Sequence, residues 1–397
     1  MERGLVSRRD FIKLGAAALL AGCTSSQAEA AWGLVHATLI DGTGADPVPD
    51  AALAIEGGRI VAVGPHAEAR IPQGARQVNV HGATILPGLF NSHIHGGYSK
   101  DALVAWAQGG VTTVRDLSCA NRTRKSGFAL RDKVRADPQV ARLVAAGPMI
   151  TVPNGYPIAR WNVDSVTVDS VEDAQRKTAE LLDDGADLIK IPLESGVIFR
   201  LDMPLLSPDE ASAIVEVAHQ RGKRVSAHIS VARDLERALD AGVDDIAHMA
   251  TDRVPDELIQ RMVEAGTYWV PTLELWRGVG FGAASPIASN LARFVEAGGQ
   301  VALGTDYAGA PQVRFDLGTP VTEVRLMHEA GMTPMQVVVA ATRNAAQVCN
   351  LSQELGTLEP GKVADLVIVD GNPLDDLGDL GSVRMVVHHG TMIRGSL

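Results

Sequence analysis

The pattern of apolar and polar positions changes twice along the chain. Between residues 32 and 87, short apolar segments alternate with turns such as Gly57-Gly58, a pattern that predicts half-buried strands joined by hairpins. From about 88 to 351, short apolar runs alternate with amphipathic stretches, which predicts repeated strand–helix units. After residue 352 the strand pattern returns, for example at 363–369. We therefore expect a central α/β region flanked by strands from both chain ends.

The central region contains enough strand-like segments for a closed barrel. They are the segment leading into His93 and the runs at 111–114, 142–146, 188–191, 224–227, 245–247, 268–271 and 301–303. Ser207, followed by Pro208, has the features of a helix N-cap and predicts a helix over 211–220. The pattern predicts a (β/α)8 TIM barrel over residues 88–351. Residues 31–87 and 352–397 are predicted to form a small β-sandwich domain.

The first 30 residues have the composition of an export signal with a lipobox and a short tether. Arg8 and Arg9 lie in a motif that resembles a twin-arginine signal, and the apolar run at 14–21 is too short to span a bilayer. The arginine motif predicts twin-arginine export to the periplasm or cell envelope. The apolar run ends close to Cys23, which predicts lipidation at Cys23 as the only membrane attachment. Cleavage after Ala30 is the alternative.

Charge and composition narrow the class of partner. The formal net charge is −11 and the acidic and basic residues are interspersed, which argues against a nucleic-acid surface. A hydrophobic fraction of 46% is sufficient for a globular protein with a sizeable core. We expect a small-molecule substrate, and the pattern does not indicate an oligomeric state.

Polar residues end several of the predicted strands, where the active sites of TIM barrels lie. His93 and His95 are two positions apart, so that on a strand both imidazoles point to the same side and can bind one metal ion. Taken singly, each such residue has a structural explanation, such as a hydrogen-bonded histidine or a turn aspartate. Together on one face they predict a metal site. The candidates are His93, His95, Lys190, His228, His248 and Asp306.

This ordered set resembles the amidohydrolase superfamily, in particular its imidazolonepropionase-like and Xaa-Pro dipeptidase-like members. The resemblance covers nearly the whole chain after the export segment and includes the residues Leu86-Pro87-Gly88 and the segment at 355–367. It implies two divalent metal ions; the ligand types suit Zn²⁺, and Mn²⁺, Co²⁺ or Fe²⁺ fit similar ligands.

The resemblance also implies a role for each candidate. His93, His95 and Asp306 would hold one ion, and His228 and His248 would hold the other. Lys190 would be carboxylated and bridge the two ions. A metal-bridging hydroxide would be the nucleophile, and Asp306 would be the catalytic residue that transfers its proton to the leaving group.

Departures from the family pattern limit the reaction. Deaminase relatives usually have a glutamate three residues after the histidine equivalent to His228, and Val231 stands there in this chain. We therefore expect hydrolysis of an amide-type C–N bond, in a dipeptide or an N-acyl amino acid-like substrate, and not deamination. The alternatives are an esterase or lactonase that uses the same site, a one-metal enzyme with unmodified Lys190, and a non-catalytic, metal-containing solute-binding lipoprotein.

Residues near the predicted site are candidates for substrate binding. Tyr156 and Arg160 lie in the loop after the third predicted strand, and Arg160 could bind a carboxylate with two hydrogen bonds or be a solvated loop residue. Glu194, four residues after Lys190, is a candidate for contacts with a ligand side chain or with substrate. Trp276 follows the seventh predicted strand and is a candidate for the pocket wall.

Overall fold

The structure is a computed structural model that describes residues 31–281 and 286–396. The predicted export signal, the lipidation residue Cys23 and the alternative cleavage position after Ala30 lie outside the described residues. Within the described ranges, no helix has both the length and the apolar character needed to cross a membrane.

Strands and helices alternate over the central part of the chain, and strands dominate both ends. The strands are β1 (Trp32–Leu39), β2 (Val48–Glu56), β3 (Arg59–Pro65), β4 (Arg76–Asn79), β5 (Thr84–Pro87), β6 (Leu89–Ile94), β7 (Val111–Asp116), β8 (Arg142–Ala145), β9 (Ile150–Thr151), β10 (Val166–Thr167), β11 (Ile189–Pro192), β12 (Val225–His228), β13 (Asp245–Ala247), β14 (Tyr268–Val270), β15 (Leu366–Val369), β16 (Val383–His388) and β17 (Thr391–Arg394). The helices are α1 (Lys100–Gln108), α2 (Arg124–Val134), α3 (Ile158–Trp161), α4 (Val171–Asp183), α5 (Pro208–Gln220), α6 (Ala232–Ala241), α7 (Asp256–Ala265), α8 (Leu273–Gly278), α9 (Pro286–Glu296), α10 (Val321–Glu329), α11 (Pro334–Ala341) and α12 (Arg343–Val348).

Strands from both chain ends form one eight-stranded sheet. The strand β5 pairs in parallel with β1 and antiparallel with β15, so that the N-terminal and C-terminal strands are directly hydrogen-bonded. An apolar cluster that includes Leu34, Leu53, Ile85 and Leu366 is fully buried against this sheet. The folding of this sheet into the two facing layers of a sandwich stays a prediction.

The central strands form two larger parallel sheets, one of β6, β7 and β8 and one of β11 to β14, and a short parallel pair of β9 and β10. The predicted α/β class is thus confirmed. The predicted eighth strand is shorter than expected: Val301 forms an isolated bridge with Trp269, and the Leu303 amide donates to the carbonyl of Ala340 in α11. Closure into an eight-stranded barrel stays a prediction. Backbone hydrogen bonds at the sheet edges run from Asp187 to Ala145 (2.9 Å), from Ala302 to Trp269 (3.0 Å) and from Ser92 to Leu303 (2.8 Å).

Local sequence signals explain where the helices begin. At the start of α5, the Ser207 hydroxyl accepts the Glu210 amide and the Glu210 carboxylate accepts the Ser207 amide, with Pro208 in the first turn. This arrangement satisfies two backbone donors at the helix start. The predicted helix is confirmed, and its apolar face packs Ile214 and Ala218 into the core.

Candidate active site

The ends of the central strands bring the six predicted metal ligands to one region. His93 lies in β6 and His95 directly after it, Lys190 lies in β11, His228 ends β12, His248 follows β13, and Asp306 follows the segment at 301–303. Of these side chains, His95 is the most exposed, at 22%, and Lys190 is fully buried.

Asp306 lies at the centre of the histidine cluster. Its Oδ1 is 3.0 Å from Nε2 of His93 and 3.0 Å from Nε2 of His95. Ligand atoms of His93, His248 and Asp306 all lie within 4.8 Å of one another. The rings of His228 and His248 are 4.5 Å apart between centroids. The structure therefore places these five predicted ligands together.

The loops that carry these ligands have an unusual backbone. His248 (φ 73°), Thr272 (φ 50°) and Asp306 (φ 60°) are in the left-handed region, which non-glycine residues adopt only when the surroundings enforce it. At Asp306 the enforcing contact is a 2.8 Å hydrogen bond from its amide to the His93 carbonyl. In addition, Oδ1 of Asn91 accepts the amide of Thr305 at 3.2 Å.

Burial determines the protonation of the cluster. Desolvation lowers the pKa of His93 to about 3, and it also lowers the pKa values of His228 and His248. Burial alone would raise the pKa of Asp306, but the imidazoles of His93 and His95, whose Nε2 atoms are each 3.0 Å from its Oδ1, hold that pKa well below its usual range. Burial also acts to lower the pKa of His95, but the adjacent Asp306 carboxylate outweighs burial and raises that pKa. The cluster thus presents neutral imidazoles at His93, His228 and His248 beside an ionised carboxylate, the forms that bind a cation.

Lys190 differs from the other candidates because its side chain is normally a cation. It must lose that charge before it can take part in a metal site. Its Nζ lies 3.4 Å from Oγ of Ser226. Burial, and after it the nearby charge of Arg115, lower the pKa of Lys190 to about 7, although Asp245 and Asp306 act in the opposite direction. At neutral pH a large fraction of this side chain is therefore a neutral amine, the form that can react with CO₂.

Unpaired polar atoms test whether these residues fit a divalent cation. Within residues 31–281 and 286–396, Asp306 Oδ1 and His228 Nε2 are buried and make no hydrogen bond of acceptable geometry. Such buried atoms are rare in folded proteins and need an explanation. A divalent cation bound by imidazole nitrogens and carboxylate oxygens would supply their missing partner. The residues present therefore fit a divalent metal site.

The four histidines and Asp306 line a cavity of about 250 Å³. Both predicted substrate contacts, Tyr156 and Arg160, line it, as does the predicted wall residue Trp276. The Tyr156 ring stacks on His228 with 4.3 Å between centroids. The Arg160 guanidinium lies 3.9 Å from the centre of the Trp161 ring and 5.3 Å from that of Phe199.

Other lining residues were not predicted. They include Trp161, Phe199, Leu275 and Phe281. Each lies in a short helix or loop that follows a strand, where the apolar pattern does not indicate which way a side chain faces. Glu194 was a candidate, but it is not among the described residues that line the cavity. Its Oε2 is 3.5 Å from Nε2 of His228, and its Oε1 accepts the Gly196 amide at 2.5 Å.

Comparison with known proteins establishes the family. The model of the amidohydrolase family matches residues 84–395, and the chain belongs to that family. Ochratoxinase of Aspergillus niger is 26% identical over 429 aligned positions, which cover 92% of this chain and 86% of the relative. Imidazolonepropionase of Symbiobacterium thermophilum is 26% identical over 371 positions, which cover 81% of this chain and 84% of the relative.

A solved structure agrees with this assignment. The crystal structure of a Xaa-Pro dipeptidase with bound methionine in the active site has a TM-score of 0.79 and 25% identity, covering 92% of this chain and 100% of that one. The fold thus matches α/β amidohydrolase structures of the TIM-barrel type. The predicted superfamily and the predicted class, a hydrolase acting on carbon–nitrogen bonds, are confirmed.

Proposed function

We propose that the protein is a binuclear metal-dependent amidohydrolase that cleaves the amide C–N bond of a dipeptide or an N-acyl amino acid-like substrate. One observation carries this proposal: the ligand atoms of His93, His248 and Asp306 lie within 4.8 Å of one another in a cavity that Arg160 also lines. A carboxylate at one end of a substrate and an amide near its centre match these two features.

The residues divide into two groups of metal ligands. His93, His95 and Asp306 would hold one divalent cation, and His228 and His248 a second, with carboxylated Lys190 between them; imidazole and carboxylate ligands favour Zn²⁺. Bound there, the cations would polarise the amide carbonyl and lower the pKa of a water molecule.

Proton transfer falls to Asp306. Its carboxylate is ionised and its backbone is fixed by the hydrogen bond to His93. It can therefore accept a proton from the attacking water and return it to the nitrogen of the leaving amine. Arg160 would hold the substrate carboxylate, and Tyr156 would flank the substrate beside His228.

The matched relatives support an amino acid-type substrate. The dipeptidase structure contains methionine in its active site, and its name describes cleavage next to proline. Dipeptidase relatives often have a tyrosine soon after the histidine equivalent to His228, whereas this chain has Ile229 and Ser230 there. We therefore propose the amide chemistry without carrying over the proline preference.

The test is turnover by zinc-loaded protein on N-acyl amino acids, dipeptides and lactones. We expect hydrolysis of the amides, two zinc ions per chain by elemental analysis, and loss of turnover with most metal retained in Asp306→Asn. The exposed Asp46→Asn is the matched control. Unchanged turnover in Asp306→Asn would contradict the assigned role, and one zinc per chain would contradict the binuclear site. Hydrolysis of lactones alone would favour the esterase alternative.

We also propose that the two larger parallel sheets belong to one (β/α)8 barrel. The backbone hydrogen bonds at their edges and the match to TIM-barrel-type structures support this closure. Hydrogen exchange provides a test, because amides of Ser92 and Ala302 in a closed ring should be protected as strongly as those in the middle of β12. Rapid exchange at these two positions would contradict closure.

For the N-terminal segment we propose export by the twin-arginine route and lipidation of Cys23. The motif at Arg8 and Arg9 and the apolar run before Cys23 support it. In a bacterial host, lipid labelling should be lost in Cys23→Ala and export should be lost when both arginines are changed to lysine. Processing after Ala30 without lipid would contradict the lipidation.

A further inference from the structure

The cavity wall contains a series of aromatic and histidine rings whose two ends differ chemically, with the predicted ligands His228 and His248 in the middle of the series. The rings follow one another in the order Phe199, Tyr156, His228, His248, Trp276 and Phe281, with neighbouring centroids between 4.3 and 6.0 Å apart. Arg160 lies at the Phe199 end. Trp276 and Phe281 form the other end of the series, and with Leu275 and Val279 they are lining residues that carry no charge.

From this arrangement we infer that the uncharged end is an acyl subsite for a large apolar group, preferably an aromatic one. The inference rests on the proposed function: with the substrate carboxylate on Arg160 and the scissile amide over the metal ligands, the acyl group extends towards Trp276. The rings of Trp276 and Phe281 there are nearly perpendicular, at 78°, with their centroids 5.1 Å apart. Aromatic groups favour such edge-to-face contacts.

The wall of this subsite is fixed from behind. Glu323 is fully buried and accepts the amides of Leu273 (2.9 Å) and Glu274 (2.7 Å), the first residues of α8. Glu274 in turn accepts the amide of Asp316 at 3.1 Å. These bonds hold α8, and with it Leu275 and Trp276, at one position. A rigid apolar surface binds an apolar group without an ordering cost in the protein.

The geometry also favours a large acyl group over a small one. Trp276 is 4% exposed and Leu275 is 8% exposed, and both line the cavity with apolar side chains. An acetyl group held over the metal ligands would leave this apolar surface in contact with water. A benzoyl group would cover it, and the free energy gained is proportional to the area covered.

The experiment compares N-benzoylglycine with N-acetylglycine, which have the same carboxylate and the same amide. We expect kcat/KM of the zinc-loaded protein to be at least ~10-fold higher for the benzoyl substrate, since even one methylene changes discrimination by that order. In Phe281→Ala, and separately in Trp276→Leu, the ratio of the two kcat/KM values should fall towards one. The exposed Leu317→Ala, in a nearby loop, is the control in which the ratio should not change.

Binding measurements separate this inference from the proposed function. Isothermal titration of both compounds into zinc-loaded Asp306→Asn reports the subsite without turnover. Tighter binding of N-benzoylglycine with no hydrolysis by the wild type would support the subsite and overturn the proposed function. Hydrolysis of both substrates with equal kcat/KM, or a ratio unchanged in both wall variants, would overturn the subsite and leave the proposed function standing. Absence of binding by both compounds would overturn the inference.

Discussion

Oγ1 of Thr272 lies 2.9 Å from Nδ1 of His248, and this hydrogen bond leaves Nε2 as the free nitrogen of the ring. Thr272 follows β14 and His248 follows β13, so the bond joins two neighbouring strand ends. Both residues have a positive φ, and the bond therefore connects two backbone positions that the fold must hold against their own preference. Metal-binding histidines usually have such a partner on the second nitrogen, because it fixes the tautomer and the ring orientation.

We predict that Thr272→Val weakens zinc binding by roughly 10- to 100-fold, the usual effect of losing the partner of a ligand histidine. Valine keeps the shape of threonine and removes the hydroxyl. Thr272→Ser, which keeps the hydroxyl, should bind zinc within about threefold of the wild type. Competition with a chromophoric chelator measures both affinities. Wild-type affinity in Thr272→Val would show that the hydroxyl does not orient His248 for the metal.

The residues that sequence reasoning found are those whose position follows from the order of the strands. His93 and His95 are two apart, and His228 and His248 end consecutive strands, so a parallel sheet brings them to one edge wherever the loops go. The parallel orientation of the strands thus determines where these four histidines lie. The apolar pattern was sufficient to predict them.

The other residues of the site owe their positions to the conformation of loops, and no short sequence pattern encodes a loop conformation. Thr272 contacts His248 because both have a positive φ, which a threonine in a sequence does not indicate. Phe199 and Phe281 reach the cavity through a 3₁₀ turn and a loop. The predicted eighth strand is reduced to a bridge because a tertiary partner, the carbonyl of Ala340, takes the amide of Leu303.

A buried ion pair connects β7 with β13 below the site. Arg115 and Asp245 are both fully buried and make two hydrogen bonds, of 2.8 and 2.9 Å. Asp245→Asn leaves the guanidinium without a countercharge, and we predict a loss of about 3–5 kcal/mol in the free energy of unfolding. Urea denaturation of the metal-free protein measures it.

The control for this pair is an ion pair of the same type on the surface. Arg261 and Asp240 are 2.7 Å apart, with side chains 42% and 58% exposed. Asp240→Asn should cost less than about 1 kcal/mol, because water screens the exposed charges. Equal losses in both variants would contradict the importance of burial.

Asp365 provides a pH-dependent contact between the terminal sheet and the central region. It lies next to β15, and its Oδ2 accepts a 2.8 Å hydrogen bond from Arg142 at the start of β8. Burial raises the pKa of Asp365, but Arg142, His388 and His389 outweigh it and lower the pKa from 3.8 to about 2. The folded protein therefore binds this proton less readily than the unfolded chain does.

The sign of this shift determines the pH window. Because the folded pKa is the lower one, the stabilisation is present above about pH 4 and is lost as the pH falls towards 2, with a full value of about 2 kcal/mol. We predict that Asp365→Asn is less stable than the wild type by about this amount at pH 7, and that the difference shrinks between pH 4 and pH 2. Urea denaturation across this range measures it. A difference independent of pH would show that the contact acts through packing and not through charge.

Arg160 is predicted to distinguish a substrate carboxylate from a carboxamide. Hydrogen bonds to charged groups contribute more than neutral ones, so Arg160→Met should lower kcat/KM for an N-acyl amino acid by roughly 10- to 100-fold. The corresponding carboxamide, already a weaker substrate, should change by less than about threefold. Arg160→Lys keeps the charge without the planar pair of donors. Its kcat/KM for the N-acyl amino acid should lie between the values of the wild type and Arg160→Met.

The comparison of the two substrates is needed because Arg160 also has a structural contact. Its guanidinium lies 3.9 Å from the centre of the Trp161 ring, and Trp161 itself lines the cavity. Removing the guanidinium could therefore displace the ring, and that effect would lower kcat/KM for carboxylate and carboxamide alike. Equal losses would assign Arg160 to positioning Trp161, whereas a loss confined to the carboxylate requires a direct charged contact with substrate.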